Sequence, residues 1–244
     1  LLGQNVNSYN YDGHNFTELL ESVAKVKGLK RIRYTSPHPQ DITVELLNVM
    51  AQYDNICNYV HLPLQSGSNK ILKRMNRTYT MEHFIELSKI IRGILPNAGI
   101  STDIIVGFPG ESEKDFNDTI NVMEEVKFDS AYTFKYSARK GTKASEYDDH
   151  INEKVKQRRL EKIIALQKLH TIHRNQNYIG KIEHVHIEKE SKRNDSKWAG
   201  RTESNKWVVF DKNQANIKDI VPVLITNTRD ITLHGRIINK AKAA

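Results

Sequence analysis

The chain has 244 residues, 38% hydrophobic and 27% charged, with 37 Lys+Arg against 29 Asp+Glu and 10 His. Such a balance excludes wholesale disorder and leaves room for one large domain, or one medium and one small. No apolar run nears the ~18 residues a bilayer span needs, and the lone Cys57 excludes an internal disulfide. A net charge of +8 favours an anionic partner, nucleic acid or a phosphate-bearing ligand.

The opening LLGQNVNSY reads as the carboxyl end of a buried strand, Leu1–Gly3, emptying into a polar loop. Strand-like runs rich in Ile, Val, Tyr and Thr follow at Arg31–Ser36, Asn58–Gln65, Gly99–Phe108 and Ser130–Ser137. Between them, NFTELLESVAKVKG, DITVELLNVMAQY, MEHFIELSKIIRGIL and EKDFNDTINVMEEV carry apolar residues at helical spacing. Strand alternating with helix predicts βαβ units and a parallel sheet. Five strands before residue 140 do not close an eight-stranded barrel, so an open or partial barrel is expected.

Glu153–Ile179 reads as one long basic helix, with Leu160, Ile163, Ile164, Leu166, Leu169 and Ile172 as its apolar positions. After Gly180, HVHIEKES, KWAGRTES, KWVVFDK, IVPVLITNTRD and ITLHGRIIN are short alternating strands, a small all-β barrel or sandwich. The predicted division is therefore an α/β domain over 1–175 and a β-domain over 176–240. Residues 138 to 201 hold 16 Lys+Arg against 9 Asp+Glu, which is +7 of the chain's +8, so the anion-binding surface is expected there.

In a parallel sheet wrapped by helices, ligands sit off the carboxyl ends of the strands. Those ends are all polar: Gln4-Asn5, Ser36-Pro37-His38-Pro39, Gln65-Ser66-Gly67-Ser68, Gly107-Phe108-Pro109-Gly110-Glu111 and Tyr136-Ser137-Ala138-Arg139. Pro109-Gly110 suits a type II turn, and Ser112 can cap the next helix. Asp103 lies inside a strand, where a carboxylate needs a partner such as a sugar hydroxyl. His184 with His186, and His170 with His173, make no metal site by themselves. Cys57 reads as a small buried residue. No Ser-His-Asp arrangement, P-loop or dinucleotide glycine fingerprint is visible, and no acid–base pair identifies a catalytic residue.

Taken together, LLGQNVNSY, RIRYTSPHP, HLPLQSGSNKILKRMNRTYT, STDIIVGFPGESEKDF, YTFKYSARKGTKA and GRTESNKWVVF resemble one family, the radical SAM methylthiotransferases. Within it the first three look most like the MiaB-type branch, whose members add a methylthio group to isopentenylated adenosine beside the tRNA anticodon. Relatives acting on threonylcarbamoyl-adenosine in tRNA, or on a ribosomal protein, are the near alternatives. The resemblance implies a partial (β/α) barrel followed by a TRAM domain, a small RNA-binding β-barrel. It also implies S-adenosylmethionine lying across the strand ends. Gln4, Ser36, Gln65, Ser66, Asp103 and Gly107 would line the cofactor cavity. Asn5, Arg77 and Arg139 would meet substrate, and Arg201, Asn205 and Trp207 would sit on the RNA-binding barrel.

Family members also carry a CxxxCxxC loop for a [4Fe–4S] cluster and three further cysteines in a preceding domain. A cluster needs several thiolates, and Cys57 is the only cysteine. The expectation is a fragment that begins just after the cluster-binding loop, holds no metal and is inactive alone. It is expected to be a cytoplasmic monomer that binds a tRNA anticodon stem-loop and no membrane. A noncatalytic RNA-binding protein is the competing reading.

Overall fold

A computed structural model describes residues 1–35 and 37–238. They divide into two compact units, Leu1–Gln167 and a second that begins at Lys168.

The first unit is built on a parallel three-stranded sheet of β3 (Tyr59–His61), β4 (Gly99–Val106) and β5 (Ser130–Lys135), in that order. A short hairpin, β1 (Asn10–Tyr11) with β2 (His14–Asn15), precedes it. The helices are α1 (Phe16–Ala24), α2 (Val44–Gln52), α3 (Asn69–Arg74), α4 (Met81–Ile94) and α5 (Glu113–Val126). Each begins at a residue whose side chain accepts the N–H three positions on: Asn15, Thr43, Ser68, Thr80 and Ser112. Asn15 and Ser112 complete capping boxes with Glu18 and Asp115.

One face of the sheet carries Val60, Ile100, Ile104 and Val106 into a core with Phe84, Phe116 and Phe128, all at most 1% exposed. Strand side chains alternate, so the opposite face holds Tyr59 and His61 of β3, Ser101, Asp103 and Ile105 of β4, and Tyr132 and Phe134 of β5. Tyr132 and Phe134 are 56% and 51% exposed, so this face lies open.

The strand count differs from the sequence reading. Leu1–Gly3 and residues 31–35 are not strands of the sheet. Leu1 exchanges backbone hydrogen bonds with Arg33 and Thr35, and Ile32 makes a single parallel bridge to Ile56. These are ladder fragments, too few to register as strands. The predicted strand 58–65 is broken as well. Pro63 has no N–H to donate, and pairing resumes only at Gln65, one residue out of step, where it bridges Ile104. Gln65 takes a left-handed φ of 64° at that bulge. The helix after β3, α3, has no counterpart among the expected helices.

The long helix α6 spans Glu153–Gln176, three residues short of the expected end. In the first unit its buried side chains are Arg159, Ile163 and Gln167, a stripe at i, i+4, i+8 that is mostly polar. Ile164 and Leu169, expected among its apolar positions, are 50% and 64% exposed.

The second unit is a closed barrel in the order β10-β8-β7-β6-β9. Its strands are β6 (Ile182–Ser191), β7 (Asn194–Arg201), β8 (Trp207–Asp211), β9 (Ile220–Arg229) and β10 (Thr232–Ile237); the last three lie within expected runs, while β6 and β7 begin two and three residues before theirs. Antiparallel pairs form all of it except the closure of β10 on β8, which is parallel. Val185, Ile187, Val208, Phe210, Val223, Ile225 and Leu233 are fully buried inside it. Gly200 is needed where β7 pairs with β6 opposite Ile187, at a shift in register: a Cβ there would collide with the His186 carbonyl oxygen.

Candidate cofactor and nucleic-acid sites

Off the carboxyl ends of β3, β4 and β5 the first unit holds an open cavity of about 1070 Å³. Gln65 and Asp103 form part of its floor, and Ile105, Phe108, Phe134, Tyr136 and Tyr147 give it an apolar and aromatic lining. Six cations reach it: Lys73, Arg74 and Arg77 from α3 and the turn after it, and Lys135, Arg139 and Lys143 from β5 and the segment beyond. Asp103 is the single carboxylate lining it among the described residues. Lys135 is paired with Glu153, and Arg74 with Asp149 at 2.7 Å. Lys73, Arg77, Arg139 and Lys143 make no ion pair among the described residues, so the cavity mouth is electropositive.

Asp103 ends a hydrogen-bonded row across the open sheet face. Tyr59 Oη lies 2.5 Å from Ser101 Oγ, which lies 2.8 Å from His61 Nδ1, and His61 Nε2 lies 3.3 Å from Asp103 Oδ2. Strand pairing dictates this order, because Tyr59 and His61 of β3 alternate with Ser101 and Asp103 of β4 along one face. A neutral His61 protonated on Nε2 satisfies every contact: Tyr59 donates to Ser101, Ser101 to His61, and His61 to Asp103. One carboxylate oxygen remains to accept from a ligand.

The turn that follows β4 is set by buried charge. Gly107 has φ 73°, and its N–H donates to Glu111 Oε2 at 2.7 Å. Glu111 is also paired with Arg159 of α6 at 2.7 Å, and Arg159 donates to the Glu111 carbonyl at 3.0 Å. Burial pushes the Glu111 carboxyl up, against the Gly107 N–H and Arg159, which favour the ion. Lys156 of α6 lies over Gly107 and donates to the Tyr136 carbonyl at 3.2 Å. Tyr79 donates to the Pro63 and Leu64 carbonyls, tying down the end of β3, and burial pushes its phenol up to about 12.

The expected site residues fall in several places. Gln65, Asp103, Arg77 and Arg139 share the cavity. Ser66 is fully buried beneath it, its hydroxyl accepting from the Ser68 N–H at 3.2 Å. Gly107 forms the turn just described. Gln4 and Asn5 are exposed and not among the cavity's lining residues, with Asn5 in a left-handed conformation, φ 52°. Ser36 lies outside the described residues. Arg74, Lys73, Lys143 and the aromatic lining were not foreseen; the basic excess in ARKGTKA was the available signal for Lys143.

On the second unit, Arg201, Asn205 and Trp207 do come together. Arg201 grips Glu188 through Nε at 2.8 Å and Nη2 at 2.9 Å, and Nη1 reaches Asn205 Oδ1 at 3.1 Å. Its guanidinium sits 5.0 Å from the Trp207 ring centroid, and Lys189 Nζ sits at 4.5 Å. Asn205, φ 67°, turns the chain between Thr202 and Lys206 so that these side chains meet.

A strand-end cavity on a parallel sheet wrapped by helices and a small closed barrel with a cationic aromatic patch define a class that the family comparison names. The radical SAM superfamily model matches residues 2–123 and the TRAM domain model residues 176–238; the chain belongs to the radical SAM superfamily and carries a TRAM domain. It is 45% identical over 98% of its length to the tRNA-2-methylthio-N(6)-dimethylallyladenosine synthase of Carboxydothermus hydrogenoformans, covering 55% of that protein. It is 43% identical over 96% of its length to the synthase of the same name from Pelotomaculum thermopropionicum, covering 53%. The chain thus spans about half the length of the curated relatives it matches.

The superfamily implies S-adenosylmethionine and an iron–sulfur cluster. The cavity suits the first: Asp103 has an accepting oxygen to offer, Gln65 adds an amide, and the aromatic lining accepts an adenine face. The residues do not fit the second. The one cysteine, Cys57, is buried, and among the described residues no group of three or more His, Cys, Asp or Glu could hold a metal ion.

Proposed function

We propose that this chain supplies the substrate-facing wall and the RNA-binding barrel of a tRNA methylthiotransferase, one that places a 2-methylthio group on N6-isopentenyladenosine next to the anticodon. The observation that carries this reading is the coincidence, in one cavity, of unpaired cations at the mouth, aromatic rings within and a hydrogen-bonding floor. That is the set needed to hold a nucleoside with its flanking phosphates beside an adenosyl cofactor. The 43–45% identity to named synthases supports the particular modification.

In this reading Gln65 and Asp103 receive cofactor hydroxyls, and Ser66 and Gly107 hold the strand ends that support them. Gln4 and Ser36 are assigned to the cofactor by the family motifs alone. Arg77, Arg139 and Asn5 meet the substrate nucleotide, and Arg201, Asn205 and Trp207 engage RNA through the TRAM barrel. S-adenosylmethionine would furnish the radical and the methyl group. The cluster that cleaves it needs thiolates from outside these 244 residues, so the chain alone is expected to be inactive. A cytoplasmic, monomeric protein working on free tRNA fits a chain in which no helix is long and apolar enough to cross a membrane, among the described residues.

The test is a filter-binding titration with an anticodon stem-loop RNA and the 244-residue chain. Affinity that falls steeply between 50 and about 200 mM salt is expected. No retention at low salt defeats the reading, and so does methylthio transfer by the chain with no cluster domain added.

A further inference from the structure

Arg74 stands at the end of α3, on the cavity wall, and its donors are only half used. Nη2 donates to Asp149 Oδ1 at 2.7 Å, while Nε is sealed from solvent with no hydrogen-bond partner among the described residues. The guanidinium carbon lies over the Tyr147 ring, 4.3 Å from its centroid. An arginine side offers Nε–H and Nη2–H as parallel donors, matched to two oxygens of one anion. Asp149 meets only one of them. A buried N–H left unmet is costly, so this contact is poorer than the fork allows.

Asp149 and Tyr147 belong to residues 137–150, the segment that also brings Arg139 and Lys143 to the cavity. The segment is also held where the Gly110 N–H donates to the Asp149 carbonyl at 3.0 Å and where the Phe108 and Tyr147 rings meet edge to face, centroids 6.4 Å apart. Gly110, φ 78°, has no room for a side chain: a Cβ would stand 2.6 Å from Asp149 Oδ2 and 3.1 Å from Arg74 Cζ. The turn after β4, the end of α3 and the segment after β5 therefore meet at one ion pair.

We propose that Arg74 is a phosphodiester-binding residue of the cavity, and that Asp149 occupies it in the absence of RNA as an internal carboxylate competitor. A backbone phosphate takes both Nε–H and Nη2–H, Asp149 is displaced, and residues 137–150 are released to carry Arg139 and Lys143 onto the RNA. Arg74 thereby becomes the fifth cation at the mouth available to RNA, beside Lys73, Arg77, Arg139 and Lys143. This inference rests on the RNA-binding reading above and adds to it a residue and a competition.

The test is fluorescence anisotropy with a labelled anticodon stem-loop RNA and the full 244-residue chain, comparing Asp149→Asn with Asp148→Asn. Both remove one negative charge from adjacent exposed positions, but only the first breaks the pair. Asp149→Asn is expected to tighten binding about three- to ten-fold more than Asp148→Asn, and the excess should vanish when Arg74 is also changed to Ala. Equal effects of the two substitutions overturn the competition, as does an excess that survives without Arg74. Binding by the parent chain with no excess for Asp149→Asn leaves the RNA-binding reading standing and removes this inference alone. No binding by any variant removes both.

Discussion

At single residues, geometry around the β4 turn makes the sharpest demands. Gly107 holds φ 73°, and a Cβ there would collide with Lys156 Cγ. Gly107→Ala should therefore cost roughly 1–3 kcal/mol, read as a lower urea midpoint with unchanged slope. Asp115 makes a different prediction. Burial alone would raise its carboxyl, but hydrogen bonds from the Ser112 and Ser68 hydroxyls, the Ser112 N–H and Lys70 hold it well below the usual range. A depressed folded pKa stabilises fully above the unfolded value of about 3.9 and is lost as pH falls below it. Acid unfolding followed by circular dichroism should accordingly flatten below about pH 4 in Asp115→Asn. Of these residues, Gly107 and Asp103 stood out in the sequence as strand-end and in-strand oddities. Asp115 did not stand out beyond its place near a cap, because its partners Ser68 and Lys70 lie some 45 residues away in the chain.

Among elements, α6 illustrates how periodicity misleads. Its leucines and isoleucines announce a helix, yet its buried face in the first unit is Arg159, Ile163 and Gln167. Arg159 faces inward because Glu111 is already buried there, 48 residues earlier, and each charge is tolerable only through the other. Breaking the pair in Arg159→Met strands a buried carboxylate and should cost roughly 3–5 kcal/mol. The double change Arg159→Met with Glu111→Gln should recover much of that loss in a urea titration, a non-additivity that marks direct coupling. The same logic explains the strands. β4, apolar on one face and flanked on both sides, runs to Val106, two residues short of the expected end; β3 stops at His61 because Pro63 interrupts the ladder and the pairing then slips. Local composition marks the runs; hydrogen-bond partners decide which residues complete a ladder.

Over the whole molecule, charge and architecture divide the work between two units, each with its own core. The +8 charge is expressed as specific cations: four at the mouth of the cavity without ion pairs among the described residues, and Arg201 with Lys189 about Trp207 on the barrel. Replacing both Arg77 and Arg139 by Ala should weaken RNA binding and lower the slope of log affinity against log salt by about two, roughly one for each phosphate no longer neutralised. A slope unchanged by both substitutions, measured by filter binding, removes these arginines from the RNA interface.

By itself the sequence determined the alternation of strand and helix, the β-domain after Gly180, and some of the polar strand ends that line the cavity, Gln65, Tyr136, Ser137 and Arg139 among them. It did so because burial of one face writes a period into the chain, and because turns and caps draw on a few residue types. Gln65 as a strand-end polar residue and Asp103 as a carboxylate inside a strand could be picked out on that ground alone, and the family motifs placed Arg77 and Arg139. Only the tertiary structure decided that Arg74 faces Asp149, that Tyr59, Ser101, His61 and Asp103 form one hydrogen-bonded row, and that LLGQNVNSY contributes a pair of backbone hydrogen bonds rather than a full strand. Those are pairings between residues 32 to 75 positions apart, and no local pattern encodes which partner a side chain meets.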